Sequence, residues 1–256
     1  MQNNQGTVNY DELVSVIMVS YNNKEAIEES IKSVLAQTYQ NWELLIEDDQ
    51  SKDGTIALLM DYLRDDKRLR IYQTTQRRGA GKNRASILGE ARGRWVAFME
   101  CGDTWRSNKL ERQVTLMKEN GFLFSYTSCK KAIGGKMIEV SGPKTISYDM
   151  MKKSCWLEHS TVMFDLKETG ISRIRYTNDN NYYALWLQVS KKADCHLLNE
   201  FLVTVDANRK KFMWLKKKFR WRYEVYRIVE EKNQIISAYM ALRNLWYTAL
   251  HRYKNR

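Results

Sequence analysis

Residues 14–49 read VSVIMVSYNNKEAIEESIKSVLAQTYQNWELLIEDD, and the changes of period inside this stretch decide the fold. Val14 to Val19 is a short, β-branched apolar run, the mark of a buried strand. Between Lys24 and Gln37 the apolar residues Ile27, Ile31, Val34 and Leu35 recur at i, i+4, i+7 and i+8, one face of an amphipathic helix. Trp42 to Ile46 returns to strand. A strand, a helix and a second strand at this spacing imply a βαβ arrangement with a mostly parallel sheet.

Working outward, the pattern repeats. The polar segment EDDQSKDGT makes a turn, with Asp53 or Ser51 placed to cap a helix carrying Ile56, Leu58, Leu59 and Tyr62. A third strand spans Leu69 to Tyr72, Gly79 to Gly81 open a helix ending near Ala91, and Trp95 to Met99 is the fourth, central strand. The reading is an α/β fold, Rossmann-like, with a mostly parallel central sheet flanked by helices. Ligands of such sheets bind at the carboxyl ends of the strands. Three polar loops converge there, at Ser20 to Asn23, Asp48 to Ser51 and Glu100 to Asp103. After Trp105 the pattern becomes mixed: a helix from about Asn108 to Lys118, strands near Phe122 to Thr127 and Met137 to Val140, and a helix from Tyr148.

The 256 residues, 43% hydrophobic with a single Pro, suit one domain with an appendage and exclude a disordered or fibrous chain. Cys101, Cys129, Cys155 and Cys195 lack the paired spacing of a zinc knuckle or redox dithiol and read as thiols in a reducing compartment. The start has no positively charged segment leading into an apolar one, which points to a cytoplasmic protein. Charge is uneven: from Arg209 to Arg256, 14 Lys or Arg stand against Glu224, Glu230 and Glu231, so this segment holds +11 of the net +12. A basic groove across the main domain is thereby excluded.

Three segments resemble the family 2 glycosyltransferases of bacterial surface-polysaccharide assembly, including capsule and O-antigen types. They are LVSVIMVSYNNKEAIEESIKSVLAQTYQNWELLIEDDQSKDGT, GRWVAFMECGDTWRSNKLERQ and YYALWLQVSKKADCHLLNEFLVTV, within residues 13 to about 206. The resemblance implies the GT-A fold and an inverting transfer of sugar from a nucleotide-sugar, a UDP-sugar, to a glycan or lipid-linked acceptor. It divides the chain into an extension at 1–12, a GT-A domain at 13–208 with nucleotide and acceptor halves meeting near residue 105, and a tail at 209–256. In the nucleotide half it implies Tyr21 stacking on a uracil-like ring and Asp49 accepting from the ring N–H. Ser20, Asp48 and Ser51 complete the nucleotide-binding set, and Arg84 is a contact to diphosphate or base.

The resemblance also exposes departures. The Asp-x-Asp-Asp expected to hold Mg²⁺ or Mn²⁺ is Glu100, Cys101, Gly102, Asp103 here, so the middle carboxylate is absent. Glu100 and Asp103 hold the cation between them, or Asp103 caps the helix after Trp105. The Arg-Asn-x-Gly motif is Arg84, Ala85, Ser86, Ile87, and the base Asp ahead of Trp186 is replaced at Asn181 and Tyr182. A common Tyr-Arg pair is Val205-Asp206. The substitute bases are Asp179, in the turn-forming NDNN, and His159, which resembles an acceptor-side His. With so many motif positions changed, the alternative is a pseudo-transferase that binds nucleotide or serves as a membrane scaffold.

In the tail, RKKFMWLKKKFRWRYEVY at 209–226 interleaves cations with aromatics. The expectation is an amphipathic interfacial helix whose aromatics enter the headgroup boundary, each cation adding about 1 kcal/mol at an anionic surface. Together with the lipid-linked acceptor implied above, it points to a peripheral protein at the inner face of the cell membrane. A solvated helix covering the domain and a nucleic-acid contact are the competing readings, the latter set aside.

Overall fold

A computed structural model of the chain describes residues 9–175, 181–209 and 215–254. The first half contains β1 (Val14–Ser20), α1 (Lys24–Leu35), β2 (Trp42–Asp48), α2 (Thr55–Asp65), β3 (Leu69–Gln73), α3 (Ala80–Leu88) and β4 (Trp95–Glu100). The second half adds β5 (Thr104–Trp105), α4 (Lys109–Asn120), β6 (Phe124–Ile133), β7 (Lys136–Val140), β8 (Thr145–Ile146) and α5 (Tyr148–Lys153). It continues with β9 (Val162–Asp165), α6 (Leu166–Thr169), α7 (Asn181–Ser190), β10 (Cys195–Asp206), α8 (Leu215–Ile228) and α9 (Gln234–Lys254).

The strands form one sheet in the order β3-β2-β1-β4-β9-β6-β10-β5, with β7 beside β6 and β8 beside β10. From β3 to β4 every pairing is parallel. Antiparallel β9 then joins β4 to β6, which runs parallel to β10. The central strands are buried on both faces, as continuous apolar runs require. Val14, Val16 and Met18 of β1 enter one core with Trp95, Ala97 and Met99 of β4 and with α1 and α4. Ile17, Val96 and Phe98 enter the other, with Trp186 of α7 and with α8 and α9.

Close packing fixes the base of the sheet. A Cβ on Gly93 would stand 2.5 Å from the Leu13 carbonyl oxygen, so only glycine lets the chain enter β4 there. None of the four cysteines is joined in a disulfide. Among the described residues no helix is long and apolar enough to cross a membrane.

The tail differs from the sequence expectation. Helices α8 and α9 pack on each other, and α8 also meets α7 while α9 meets α5. The α8 aromatics Phe219, Tyr223 and Tyr226 therefore turn toward the core instead of presenting to an outside surface. Tyr226, fully buried, accepts from Asn244 and donates to the Lys152 carbonyl at 2.7 Å. Phe212, Met213 and Trp214 lie outside the described residues.

Candidate functional site

The ends of β1, β2 and β4 lie side by side because their register pairs Ser20 with Asp48 and Val19 with Glu100. A cleft of about 220 Å³ opens above them, lined by Ser20, Tyr21, Asn23, Asp49, Arg84 and Glu100 among others. Ser20 is fully buried, and its Oγ has no hydrogen-bond partner among the described residues. An orphaned polar atom facing a cleft is a group waiting for a ligand.

Two loops make one wall by bonding to each other. Asn22 takes a left-handed φ of 49°, a conformation that Asn tolerates. Its N–H donates to Ser51 Oγ at 2.8 Å, while its Oδ1 accepts from Lys52 N–H at 2.8 Å. Asp48 accepts from the Ser51 N–H at 2.8 Å and from its hydroxyl. Asp48 is thus buried as a turn maker beneath the wall, whereas Asp49 faces the cleft. Asp53 accepts from the N–H of Lys24 and of Thr55, joining the starts of α1 and α2.

Asp49 Oδ1 accepts from the Arg78 N–H at 2.8 Å and Oδ2 from the Gly79 N–H at 2.9 Å. Burial by itself raises this carboxyl, but those N–H groups, Asn83 and Arg77 outweigh it, and its pKa lies below the ordinary value. Asp49 is ionised at neutral pH, and a carboxylate has lone pairs left for a further donor. The Arg77 guanidinium lies 3.9 Å from the centre of the Tyr21 ring. Arg78 pairs with Glu47 and donates to Asn83 Oδ1 at 3.1 Å. The sequence reading missed Arg77 and Arg78. Their signal was there, two consecutive arginines directly before the glycine-opened helix.

The opposite wall is a cluster of side chains. Glu100 accepts from Arg84 Nη2 at 3.1 Å and from the Tyr182 hydroxyl at 2.6 Å. The Arg84 guanidinium stands 4.1 Å from the Tyr182 ring centre, and the His159 ring stacks on Tyr182 with centroids 3.7 Å apart. Burial raises the Glu100 carboxyl, yet Arg84, His159 and Tyr182 together hold it below the ordinary carboxylate value. Burial pushes the Tyr182 phenol far up, so it remains a protonated donor.

Asp103 has another part. Its Oδ1 accepts from the Asp206 N–H at 3.0 Å, its Oδ2 from the Ser160 hydroxyl, and its carbonyl from Ser30 Oγ at 2.7 Å. The loop between β4 and β5 is thereby tied to α1, to the turn before β9 and to the end of β10. Asp103 does not line the cleft and does not cap α4, whose N-cap is Asn108. Among the described residues no group of three His, Cys, Asp or Glu converges to hold a metal ion. Of the two carboxylates expected to hold a cation, Glu100 lines the cleft and pairs with Arg84, whereas Asp103 is bonded away from it. Asp179 lies outside the described residues, two positions before α7.

With this geometry described, known proteins give a consistent picture. The sequence matches glycosyl transferase family 2 over residues 15–162. It is 34% identical over 233 residues to the putative teichuronic acid biosynthesis glycosyltransferase TuaG of Bacillus subtilis (strain 168), covering 87% of this chain and 90% of TuaG. It is 35% identical over 193 residues to WfgD of Escherichia coli, covering 74% of each chain. That protein is named as a UDP-Glc:alpha-D-GlcNAc-diphosphoundecaprenol beta-1,3-glucosyltransferase. Among solved structures, S. aureus TarS 1-349 in complex with UDP-GlcNAc superposes with a TM-score of 0.65 at 17% identity, covering 89% of this chain and 70% of that one. Of a longer TarS chain, 41% is covered. At that identity the likeness shows the fold, which is GT-A.

Proposed function

Because the chain belongs to glycosyl transferase family 2 and is a transferase of the GT-A fold, we propose that it moves a sugar from a UDP-sugar to a lipid-linked glycan acceptor with inversion at the anomeric carbon. The observation that carries this reading is the Asp49 wall: an ionised carboxylate, fixed by two backbone N–H groups, beside an aromatic ring and an unpaired buried hydroxyl. Such a wall suits a nucleotide base, which offers a π face to Tyr21 and a ring N–H to Asp49. Ser20 supplies its free Oγ, and Asp48 and Ser51 hold the turn in shape. The names of WfgD and of the TarS complex, with UDP-Glc and UDP-GlcNAc, favour a uracil nucleotide for this chain as well.

The diphosphate would extend toward Arg84 and Glu100. Enzymes of this fold commonly employ Mg²⁺ or Mn²⁺ to neutralise it, but the residues here do not make the two-carboxylate site. We assign that neutralisation to Arg84, a planar and permanently charged phosphate partner. Glu100 orients Arg84, and Asp103 holds the loop. Inversion requires a base to take the acceptor proton as its oxygen attacks the anomeric carbon on the face opposite the leaving UDP. Asp179 is the first candidate, because it stands in sequence two positions before the helix that carries Tyr182 into the cleft wall. His159 is the second, its ring being held against Tyr182. Residues 13–208 would form the transferase unit and 209–256 its membrane-facing appendage, with residues 1–12 as a lead-in.

Calorimetric titration of UDP in Mn²⁺ and again in EDTA tests the reading without either full substrate. Binding in both buffers, weakened by Arg84→Met, is the expected result. Binding only with Mn²⁺ would overturn the arginine assignment and restore a cation at Glu100. Failure to bind in either buffer would leave the scaffold as the better description.

A further inference from the structure

Helix α9 buries one face against the domain and carries an apolar stripe on the other. Met240, Ala241 and Asn244 point inward and are buried. On the far side Ile235, Tyr239, Leu242, Trp246 and Leu250, spaced i, i+4, i+7, i+11 and i+15, form one outward stripe and are 43 to 83% exposed. At 1.5 Å per residue this stripe runs about 22 Å along the helix. An exposed apolar stripe of this length marks an interaction surface, and nothing else in the described chain covers this side.

The stripe's surroundings select what covers it. From Lys232 to the end of the sequence there is no Asp or Glu, while Arg243, Arg252, Lys254 and Arg256 all lie there. Beside the stripe, Lys153, Arg243, Tyr239, Leu242, Trp246 and Tyr247 line an open hollow. The Nε–H of Arg243 is shielded from solvent and has no hydrogen-bond partner among the described residues. An apolar strip bordered by cations, one with a donor to spare, complements a surface that is greasy below and anionic above. A second copy of the chain does not fit this requirement, since it would set one cationic tail against another.

We infer that α9 is the membrane-seating helix of this protein, its Ile235–Leu250 stripe entering the interface of an anionic bilayer while Lys153 and Arg243 meet lipid phosphates. Helix α8, whose Phe219, Tyr223 and Tyr226 are turned inward, acts as the strut that carries α9. The inference rests on the lipid-linked acceptor proposed above for its purpose, but its surface argument is independent of the cleft. It replaces Phe219, Tyr223 and Tyr226 of α8 with the aromatics of α9 as the inserting groups.

Flotation of the full chain with vesicles of phosphatidylcholine alone, and of an equimolar mixture with phosphatidylglycerol, tests it. Wild type is expected to float with the anionic vesicles, and Leu242→Gln combined with Trp246→Gln to weaken this roughly tenfold or more. Both residues are exposed, so the thermal melt and the UDP titration of that variant should match wild type. Lys153→Gln with Arg243→Gln should narrow the preference for anionic over neutral vesicles. Wild-type flotation by the Leu242 and Trp246 variant, or no flotation of the unmodified chain, would overturn the inference. So would a dimer of the wild type that this variant dissolves, because the stripe would then be a contact between copies. Flotation retained while UDP fails to bind counts against the proposed donor site and in favour of the α9 surface.

Discussion

On the Asp49 side of the cleft, main-chain N–H groups hold the functional carboxylate; on the Glu100 side, side chains hold one another. Asp49 is gripped by the backbone of Arg78 and Gly79, which any sequence with the right turn would supply. Glu100 depends on Arg84 of α3 and Tyr182 of α7, with His159 stacked behind. A backbone grip survives substitution of its neighbours, whereas a side-chain cluster changes as a unit. The lesson concerns where divergence is tolerated. The first wall keeps the residues the family resemblance implies, and the second, where the metal and base motifs have changed, has settled into a different balance of charge.

The sharpest way to break this contrast is Asp49→Ala. It strands two N–H groups and removes the acceptor proposed for the nucleotide, with charge-assisted bonds of about 1.5–3 kcal/mol at stake. UDP affinity measured by calorimetry should fall roughly 100-fold. An unchanged affinity would place the nucleotide elsewhere.

On the other wall, Glu100→Gln leaves Arg84 without its counter-charge. Urea unfolding should show a loss of about 2 kcal/mol, below the ~3–5 kcal/mol of a fully enclosed pair because Glu100 still reaches the cleft and is partly screened. The pKa of Glu100 is lowered by folding, so its stabilisation is present at neutral pH and disappears as pH falls through the folded value. The variant should therefore lose part of the acid sensitivity of wild type. A variant as stable as wild type would mean that the second wall is not held together by this charge.

Beneath the Asp103 loop lies Lys109, fully buried, its Nζ without a hydrogen bond and 3.8 Å from the Trp105 ring centre. Burial drives its pKa well below the usual lysine value, opposed by the attraction of the indole face for a cation. Lys109→Met should stabilise the chain by about 1.5 kcal/mol in urea unfolding. Wild type should gain stability as pH rises toward about 10, where unfolded lysine also loses its proton, and Lys109→Met should not.

The smallest expected effect belongs to the first wall's own side-chain pair. Burial, opposed by Arg78, raises the Glu47 carboxyl to about 7. A carboxyl raised by folding favours the native state at acid pH, and that contribution is lost as pH rises through about 7. Between about pH 5 and pH 8 the wild type should lose about 1 kcal/mol more than Glu47→Gln, read from melts at each pH. A larger difference would mean that the backbone-held wall leans on side chains more than its hydrogen bonds suggest.

Much of the fold was legible because strand and helix periods alternate cleanly through Leu88, and the register of β1, β2 and β4 follows from their continuous apolar runs. Tyr21 and Asp49 were named from loops at strand ends and Arg84 from the family resemblance, and all three line the cleft. Arg77, Arg78 and Ser160 were not named, because their roles arise from turns and from contacts across as many as 60 residues, which periodicity does not carry. Asp103 was read as a cation ligand or a cap because its partners, Ser160 and the Asp206 N–H, are invisible to local sequence. The tail misled for a related reason. Aromatic composition told that something apolar needed covering, but only packing decides that α8 faces inward and α9 outward.

The knot around Asp103 has a consequence for how the protein comes into being. The parallel half of the sheet is complete once β4 has been made, and the Asp49 wall soon after β1 to α3 have formed. The loop beyond β4, however, is fastened to Asp206, 103 residues further along the chain. At about 5–20 residues per second, a ribosome needs roughly 5–20 s to deliver that strand. For that interval the nascent chain carries one finished wall and an untied loop, and it closes the site only when the last strand of the domain arrives.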